Sequence, residues 1–247
     1  MVVSTLRLGR VLAALGGLLA VYLLFAYGLV PAVWRKAEAR HPALSGDAPR
    51  VTKTTAGIPG DPLNIVLVAT EEQAVIAMLH AGYHPADPVT LKSSVKIARS
   101  TILHRPYEDA PVSPLLLFGR RQDLAFEQEV GRDARERHHV RFWRSTELDG
   151  EERQAWFGAA TFDRSVGLSH TTGQVTHHIG ADVDLERDKI IADLQKAGQV
   201  QELGWIEGFH EEKQGRNGGG DPYRTDGRLA VLVLRHVAAP EGQAATE

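Results

Sequence analysis

The chain has no cysteine, which excludes disulfides, thiolate metal centres and cysteine nucleophiles together. It also has no surplus of positive charge. Its 28 Lys and Arg stand against 31 Asp and Glu, a formal −3 with a pI near 6.4. A nucleic-acid binder needs a concentrated basic face to displace counterions from phosphates, so nucleic acid is not an expected partner. Aromatic residues make up only 6%. They interleave with basic ones in a single short stretch, Arg141-Phe142-Trp143-Arg144. The common signatures of chemistry are missing too. There is no phosphate-binding G-x-x-x-x-G-K-[ST], no dinucleotide G-x-G-x-x-G, no G-x-S-x-G nucleophile elbow, no kinase pattern and no H-E-x-x-H or H-x-H.

What is present is uneven. Val11 to Trp34 carries no charged residue and is bounded by Arg10 and by Arg35-Lys36. As a helix these positions reach about 36 Å, more than the roughly 30 Å hydrocarbon core of a bilayer. The run is too long for the apolar part of a cleaved signal peptide, and Ala37-Glu38-Ala39 lies beyond the charged flank, badly placed for cleavage. The expectation is one uncleaved transmembrane helix over 11–34 after a short basic head, 1–10. The flanking charges nearly tie. A short basic head inside with the large domain on the extracytoplasmic side is the expected arrangement, and a cysteine-free chain fits the cell envelope.

Residues 35–62 are rich in Pro and Gly and read as a linker. A folded domain is expected over 63–237, with a disordered tail at 238–247. Leu63 to Ala69 is a β-branched run suited to a buried strand. Thr70-Glu71-Glu72-Gln73 then has the spacing of a capping box, and Val75, Ile76, Leu79 and Tyr83 give the helix its apolar stripe up to Gly82. A second helix is predicted over 91–103. A period of two follows, with strands expected over 114–118, 124–128, 138–144, 154–162 and 174–179. Asp182-Val183-Asp184 leads into a helix ended by Ala197-Gly198, echoing Ala81-Gly82 and hinting at a duplicated β-α-β half. Strands over 200–209 and 228–237 complete an α+β fold, a mostly antiparallel sheet with amphipathic helices on one face.

Several words in this domain resemble the LssY carboxy-terminal domain family. They include Pro62-Leu63-Asn64, Asp87-Pro88-Val89-Thr90-Leu91, Ser113 to Phe126, His138-His139-Val140-Arg141-Phe142-Trp143, Gly173 to Ile179 and Gly218 to Gly227. The resemblance covers nearly all of 58–237. It implies no established reaction. Family relatives carry the domain behind multi-span segments similar to lipid-phosphate phosphatases and DedA-type proteins, which implies an envelope setting and a link to lipid or phosphate-headgroup metabolism. This chain differs in having one expected span and no phosphatase signature.

Candidate chemistry centres on two histidine doublets, His138-His139 and His177-His178. Imidazole binds metals and moves protons near neutral pH. Neighbouring strand residues point to opposite faces, so one histidine per doublet is expected to join a shared site. His139, Arg141 and Trp143 should share one face, and His138, Val140 and Phe142 the apolar one. His139, His177, His178 and Asp182 are the candidate ligands for a divalent metal, and His139, His178, Asp182 and Asp221 the candidate catalytic groups. The bland reading makes them satisfied core or surface histidines with a capping aspartate. Gly218-Gly219-Gly220 can present amides to an anion, and Arg120-Arg121 can clasp a phosphate or carboxylate. A flexible hairpin and a solvated turn are the competing readings. Ser165, Ser169 and His170 lie close in sequence but read as a loop, not a triad. The expected function is a membrane-anchored binding or accessory module with a lipid or membrane-protein partner. A metal- or histidine-dependent hydrolase and a structural scaffold for multi-span partners are the alternatives.

Overall fold

The computed structural model describes residues 12–21, 24, 49–54, 57–86, 115–131, 133–148, 153–171 and 175–235. The chain divides into two units, Met1–Gly46 and Asp47–Glu247. In the first, residues 12–21 form helix α1, and Leu12, Leu15, Leu18, Leu19 and Val21 are all exposed. Among the described residues no helix is long and apolar enough to cross a membrane. Most of the 11–34 segment, the head, the tail and the helix expected at 91–103 lie outside the described residues.

The second unit is built on an eight-stranded sheet. Its strands are β3 (Ile65–Ala69), β4 (His84–Pro85), β7 (Leu124–Val130), β8 (Asp133–Leu148), β9 (Gln154–Leu168), β10 (Val175–Ile179), β11 (Val200–Ile206) and β14 (Leu229–Leu234), in the order β11-β14-β3-β9-β8-β7-β4, with β10 also on β9. Only β14 and β3 run parallel; every other pairing in this sheet is antiparallel. Strand β9 is long enough to serve two neighbours in turn, pairing with β3 through Gln154–Gly158 and with β10 through Asp163–Leu168.

Helices α2 (Glu71–His80) and α3 (Val183–Lys196) pack on this sheet. Ile65 and Leu67 of β3, Val140 and Phe142 of β8, Trp156 and Ala160 of β9, and Ala230 and Leu232 of β14 share one core with Ala74, Val75 and Met78 of α2 and Ile190, Ile191 and Leu194 of α3. Residues two apart on a strand face the same way, so both helices lie on one side. The α+β expectation holds in this respect. Thr70 forms the predicted capping box, its hydroxyl accepting from the Gln73 amide and Gln73 accepting from the Thr70 amide. The two Ala-Gly helix ends match: Tyr83 N donates to Met78 O and Gln199 N to Leu194 O, each at 3.0 Å, with Gly82 and Gly198 at positive φ. The echo stops at the caps, because β3 is central and β10 covers only part of β9.

Part of the expected linker is folded. β1 (Val51–Thr54) and β2 (Pro59–Pro62) join β5 (Leu115–Leu117) and β6 (Arg120–Arg121) in a second sheet, ordered β2-β1-β5-β6. Pro59 and Pro62 misled the sequence reading. β2 is an edge strand, where a residue without an amide donor is tolerated. A hairpin of β12 (Gln214–Arg216) and β13 (Pro222–Arg224) carries the glycine-rich loop.

Asn64 ties these parts together. It is fully buried between β2 and β3. Its Nδ2 donates to Ala160 O at 3.0 Å and Val183 O at 2.9 Å, while Oδ1 accepts from Ala160 N at 3.0 Å. Its backbone accepts from Ala230 N and donates to Gly158 O. Strands β3, β9 and β14 and the first turn of α3 therefore converge on one residue. Asn64→Ala leaves the buried N–H and C=O of Ala160 without partners and removes a second donor from Val183 O, at a cost of about 2 kcal/mol or more. Asn64→Asp should be no better, since a carboxylate offers no donor to the two carbonyls. Urea unfolding of the detergent-solubilised chain checks both, and a loss under about 1 kcal/mol for Asn64→Ala would contradict this role.

Candidate functional site

On the sheet face away from the helices, β8 and β9 place charged side chains where most sheets bury apolar ones. In the pairing of the two strands Arg137 is opposite Asp163, His139 opposite Thr161 and Arg141 opposite Ala159. Arg137, His139, Arg141, Thr161 and Asp163 are all buried. The predicted alternation along β8 holds: Val140 and Phe142 enter the helix-side core, and His138 bonds Glu186 of α3 at 2.7 Å. His139, Arg141 and Trp143 take the other side.

Buried ions need partners, because an unpaired charge in a low dielectric is strongly unfavourable. Arg137 Nε donates to Asp163 Oδ2 at 3.1 Å, Nη1 to Glu127 Oε2 at 2.8 Å and Nη2 to His177 Nε2 at 3.2 Å. Arg141 Nη1 donates to Asp61 Oδ2 at 3.2 Å, and Asn217 Nδ2 donates to the other oxygen of Asp61 at 3.2 Å. Burial raises the pKa of Asp61 and Asp163, and the arginines pull it back. An arginine only donates, so Nε2 of His177 must accept and its proton sits on Nδ1, a buried atom with no hydrogen-bond partner. Burial first, then the charges of Arg141, Arg137 and His177, hold His139 well below the usual histidine value. Burial and the same two arginines bring His177 down to about 4.

A second polar group adjoins this layer. His178 Nδ1 lies 2.8 Å from Asp221 Oδ1, and the exposed His170 brings Nε2 to 4.0 Å from the same oxygen. Asp221 Oδ2 accepts from the Ile179 amide at 3.2 Å. One donor atom from each of His170, His178 and Asp221 falls within 4.8 Å of the others, an arrangement able to hold a metal ion. Asn217 joins the two groups, since its Oδ1 accepts from Asp221 N at 2.9 Å and its amide nitrogen reaches Asp61.

The sequence candidates divide accordingly. His178 and Asp221 come together. His139 and His177 sit instead beside Arg137 and Arg141, whose charges repel a cation. His177 and His178 go to different groups, His177 to Arg137 and His178 to Asp221, as neighbouring residues in regular register on a strand should. Asp182 caps α3, accepting from Asp184 N at 3.2 Å, and pairs with Arg224 at 3.0 Å, which corrects its place in the metal set. Arg120 is held by Asp123 and the Arg144 carbonyl, and Arg121 is exposed.

In the glycine loop, Gly219 N and Asp221 N donate to Asn217 Oδ1 and Gly220 N to Asn217 O. These amides are turned inward and are not offered to an anion. The glycines serve close packing: a Cβ on Gly218 would fall 2.3 Å from Thr54 Cγ2.

Asp61, Arg137 and His170 were not among the sequence candidates. Arg137 had a visible signal, since it continues the period of two through His139 and Arg141. Asp61 was hidden in the apparent linker, and His170 in a turn.

Fold and site together define an α+β domain with a layer of paired buried charges on the face away from its helices. The LssY C-terminus profile matches residues 45–229, and the chain belongs to that family. Comparison with curated proteins and with solved structures returned no match.

The neutral histidines make stability depend on pH with a definite sign. Unfolded, His177 takes a proton near pH 6.5; folded, it does so only near 4. Acidification through that window therefore favours the unfolded chain, and above it the effect vanishes. The raised carboxyls act in the opposite sense, but they are common to wild type and variant. On going from about pH 7 to about pH 4.5, His177→Gln should lose roughly 1–3 kcal/mol less stability than wild type. Urea midpoints at the two pH values decide it, and identical pH dependence would refute it.

Proposed function

We propose that this is a single-pass membrane protein whose 11–34 segment anchors the LssY domain at the envelope surface, where the domain acts as a binding or accessory module. The observation that carries the reading is the apolar character of the segment. Leu12, Leu15, Leu18, Leu19 and Val21 on α1 are exposed, and Ala13, Ala14, Gly16, Gly17 and Ala20 fill the remaining directions. A helix with no polar face needs a non-aqueous surrounding on every side, and the charge-free run continues to Trp34. Basic residues on both flanks suit the headgroup regions. The domain lies on the extracytoplasmic side, following the short basic head. A connection to lipid or phosphate-headgroup metabolism is part of the same proposal and rests on the settings in which the family occurs. A hydrolytic role is the second reading, favoured by the buried Asp221 carboxylate held against His178.

Alkaline carbonate washing of membranes tests the anchor: the full chain should stay in the pellet, and deletion of residues 1–34 should release the domain. Release of the full chain would overturn the anchor. Photo-crosslinking in native membranes tests the module. Capture of lipid or of a multi-span protein is expected, and capture of neither would refute it.

A further inference from the structure

Asp221 departs from the pattern of its neighbours. On this face Asp61 is paired with Arg141 and Asp163 with Arg137. Asp221 is as deeply buried. Among the described residues, however, its oxygens meet two imidazoles and one backbone amide, with no arginine or lysine bridging them. A carboxylate removed from water requires a compensating positive charge, and a metal ion shared with the two imidazole nitrogens beside it would supply one.

We propose that His170, His178 and Asp221 bind one divalent transition-metal ion of the Zn2+ type, with a further coordination position open to water. Two imidazole nitrogens and one carboxylate oxygen suit zinc and its neighbours. Magnesium and calcium prefer shells of oxygen. A tetrahedral ion with bonds of about 2.0–2.1 Å holds its ligand atoms roughly 3.4 Å apart. The observed separations from Asp221 Oδ1, 2.8 Å to His178 Nδ1 and 4.0 Å to His170 Nε2, lie on either side of that value. The imidazoles already lie against each other, with ring centroids 5.2 Å apart. Small side-chain rotations bring all three donors to bonding distance. Asp221 is buried and His178 half-buried, while the His170 side chain is 67% exposed. The ion is therefore gripped from the protein side and leaves its remaining position to solvent.

The three ligands come from separate segments that the backbone locks together. His170, in the turn after β9, donates its amide to Gly219 O at 2.8 Å. The amide of Ile179, next to His178 on β10, donates to Asp221 Oδ2. Asn217 closes the loop on Asp221 by accepting from its amide and donating its own amide to the Asp221 carbonyl at 2.9 Å. Outer contacts of this kind orient metal ligands. Gly167 makes room for the second imidazole, since a Cβ there would lie 2.6 Å from His178 Nε2. Gly220 does the same for the first, where a Cβ would lie 2.8 Å from His170 Cβ. The glycine loop thus contributes to a cation site through its fold, not through its amides.

The test is metal titration of the full chain, purified in detergent and stripped with chelator. Zn2+ is titrated against a competing chromophoric indicator, and Co2+ is followed by its visible ligand-field absorption. One equivalent of each should bind, and affinity should fall with acidification as protons compete for the imidazoles. His170→Ala alters an exposed side chain, so it keeps the fold, and it should weaken Zn2+ binding at least about tenfold. Asp221→Asn should do likewise, while His80→Ala, an exposed histidine on α2, should bind as wild type. Absence of stoichiometric binding of both ions, or unchanged affinity in His170→Ala, overturns the site. The anchor is read by carbonate washing and the metal by titration, so failure of either leaves the other standing.

Discussion

Asn64 has no charge and no hydrophobic surface of note, yet its carboxamide is where strand pairing meets helix packing. A side chain that donates to one strand and one helix, and also accepts from that strand, fixes their relative height to within hydrogen-bond tolerance. β3 sits at the centre of the large sheet with β9 on one side and β14 on the other, and Asn64 extends the ladder on both sides. The next residue towards the amino terminus is clamped as well, since His210 Nε2 approaches Leu63 O at 2.7 Å. With β9 fixed, the position of Asp163 five residues after Gly158 is fixed, and with it the charged layer. The site therefore depends on a neutral amide.

That layer explains why the histidines are not interchangeable. Arg137 pairs with Asp163 and Glu127 and Arg141 with Asp61, and an additional cation beside the two arginines would be repelled. Burial first, then these arginine charges, keep His139 and His177 neutral, and a neutral imidazole can accept from an arginine, as His177 does. His138, on the opposite face of the same strand, meets a different partner. It bonds Glu186, whose carboxyl burial pushes upward. Four histidines in two doublets thus occupy three environments. Each environment is set by which face of a strand the residue takes and what charge already lies there.

The fold was legible where local chemistry and tertiary position agree. Thr70 and Gln73 announced a helix start, Ala81-Gly82 and Ala197-Gly198 two helix ends, and the alternation through His138 to Trp143 the two faces of β8. It was illegible where a long-range partner decides. Pro59 and Pro62 read as linker because nothing in the sequence shows that β2 will be an edge strand. Asp61 between them could not be foreseen as the partner of Arg141, eighty residues away. The site was half visible for the same reason. His178 and Asp221 stood out as residue types, but their pairing needs the β12–β13 hairpin to fold back on β10. Alternation separated His177 from His178 but could not say which charged neighbours each would meet.

Asn217 makes the two polar groups one structure. Its amide nitrogen donates to Asp61, and its carbonyl oxygen accepts from the backbone that carries Asp221. A shift of the glycine loop would therefore move Asp221 relative to His178 and, at the same time, withdraw a donor from Asp61, leaving that carboxylate with Arg141 alone. Asp61 is held on β2, and β2 pairs with β1, whose Thr54 packs against Gly218 of the same loop. The small sheet, which the sequence presents as a connecting segment, is thus the support on which the loop rests. Its proximity to the charged layer follows from one requirement, that Arg141 in the low-dielectric interior have a carboxylate partner. The edge strand supplies one in Asp61.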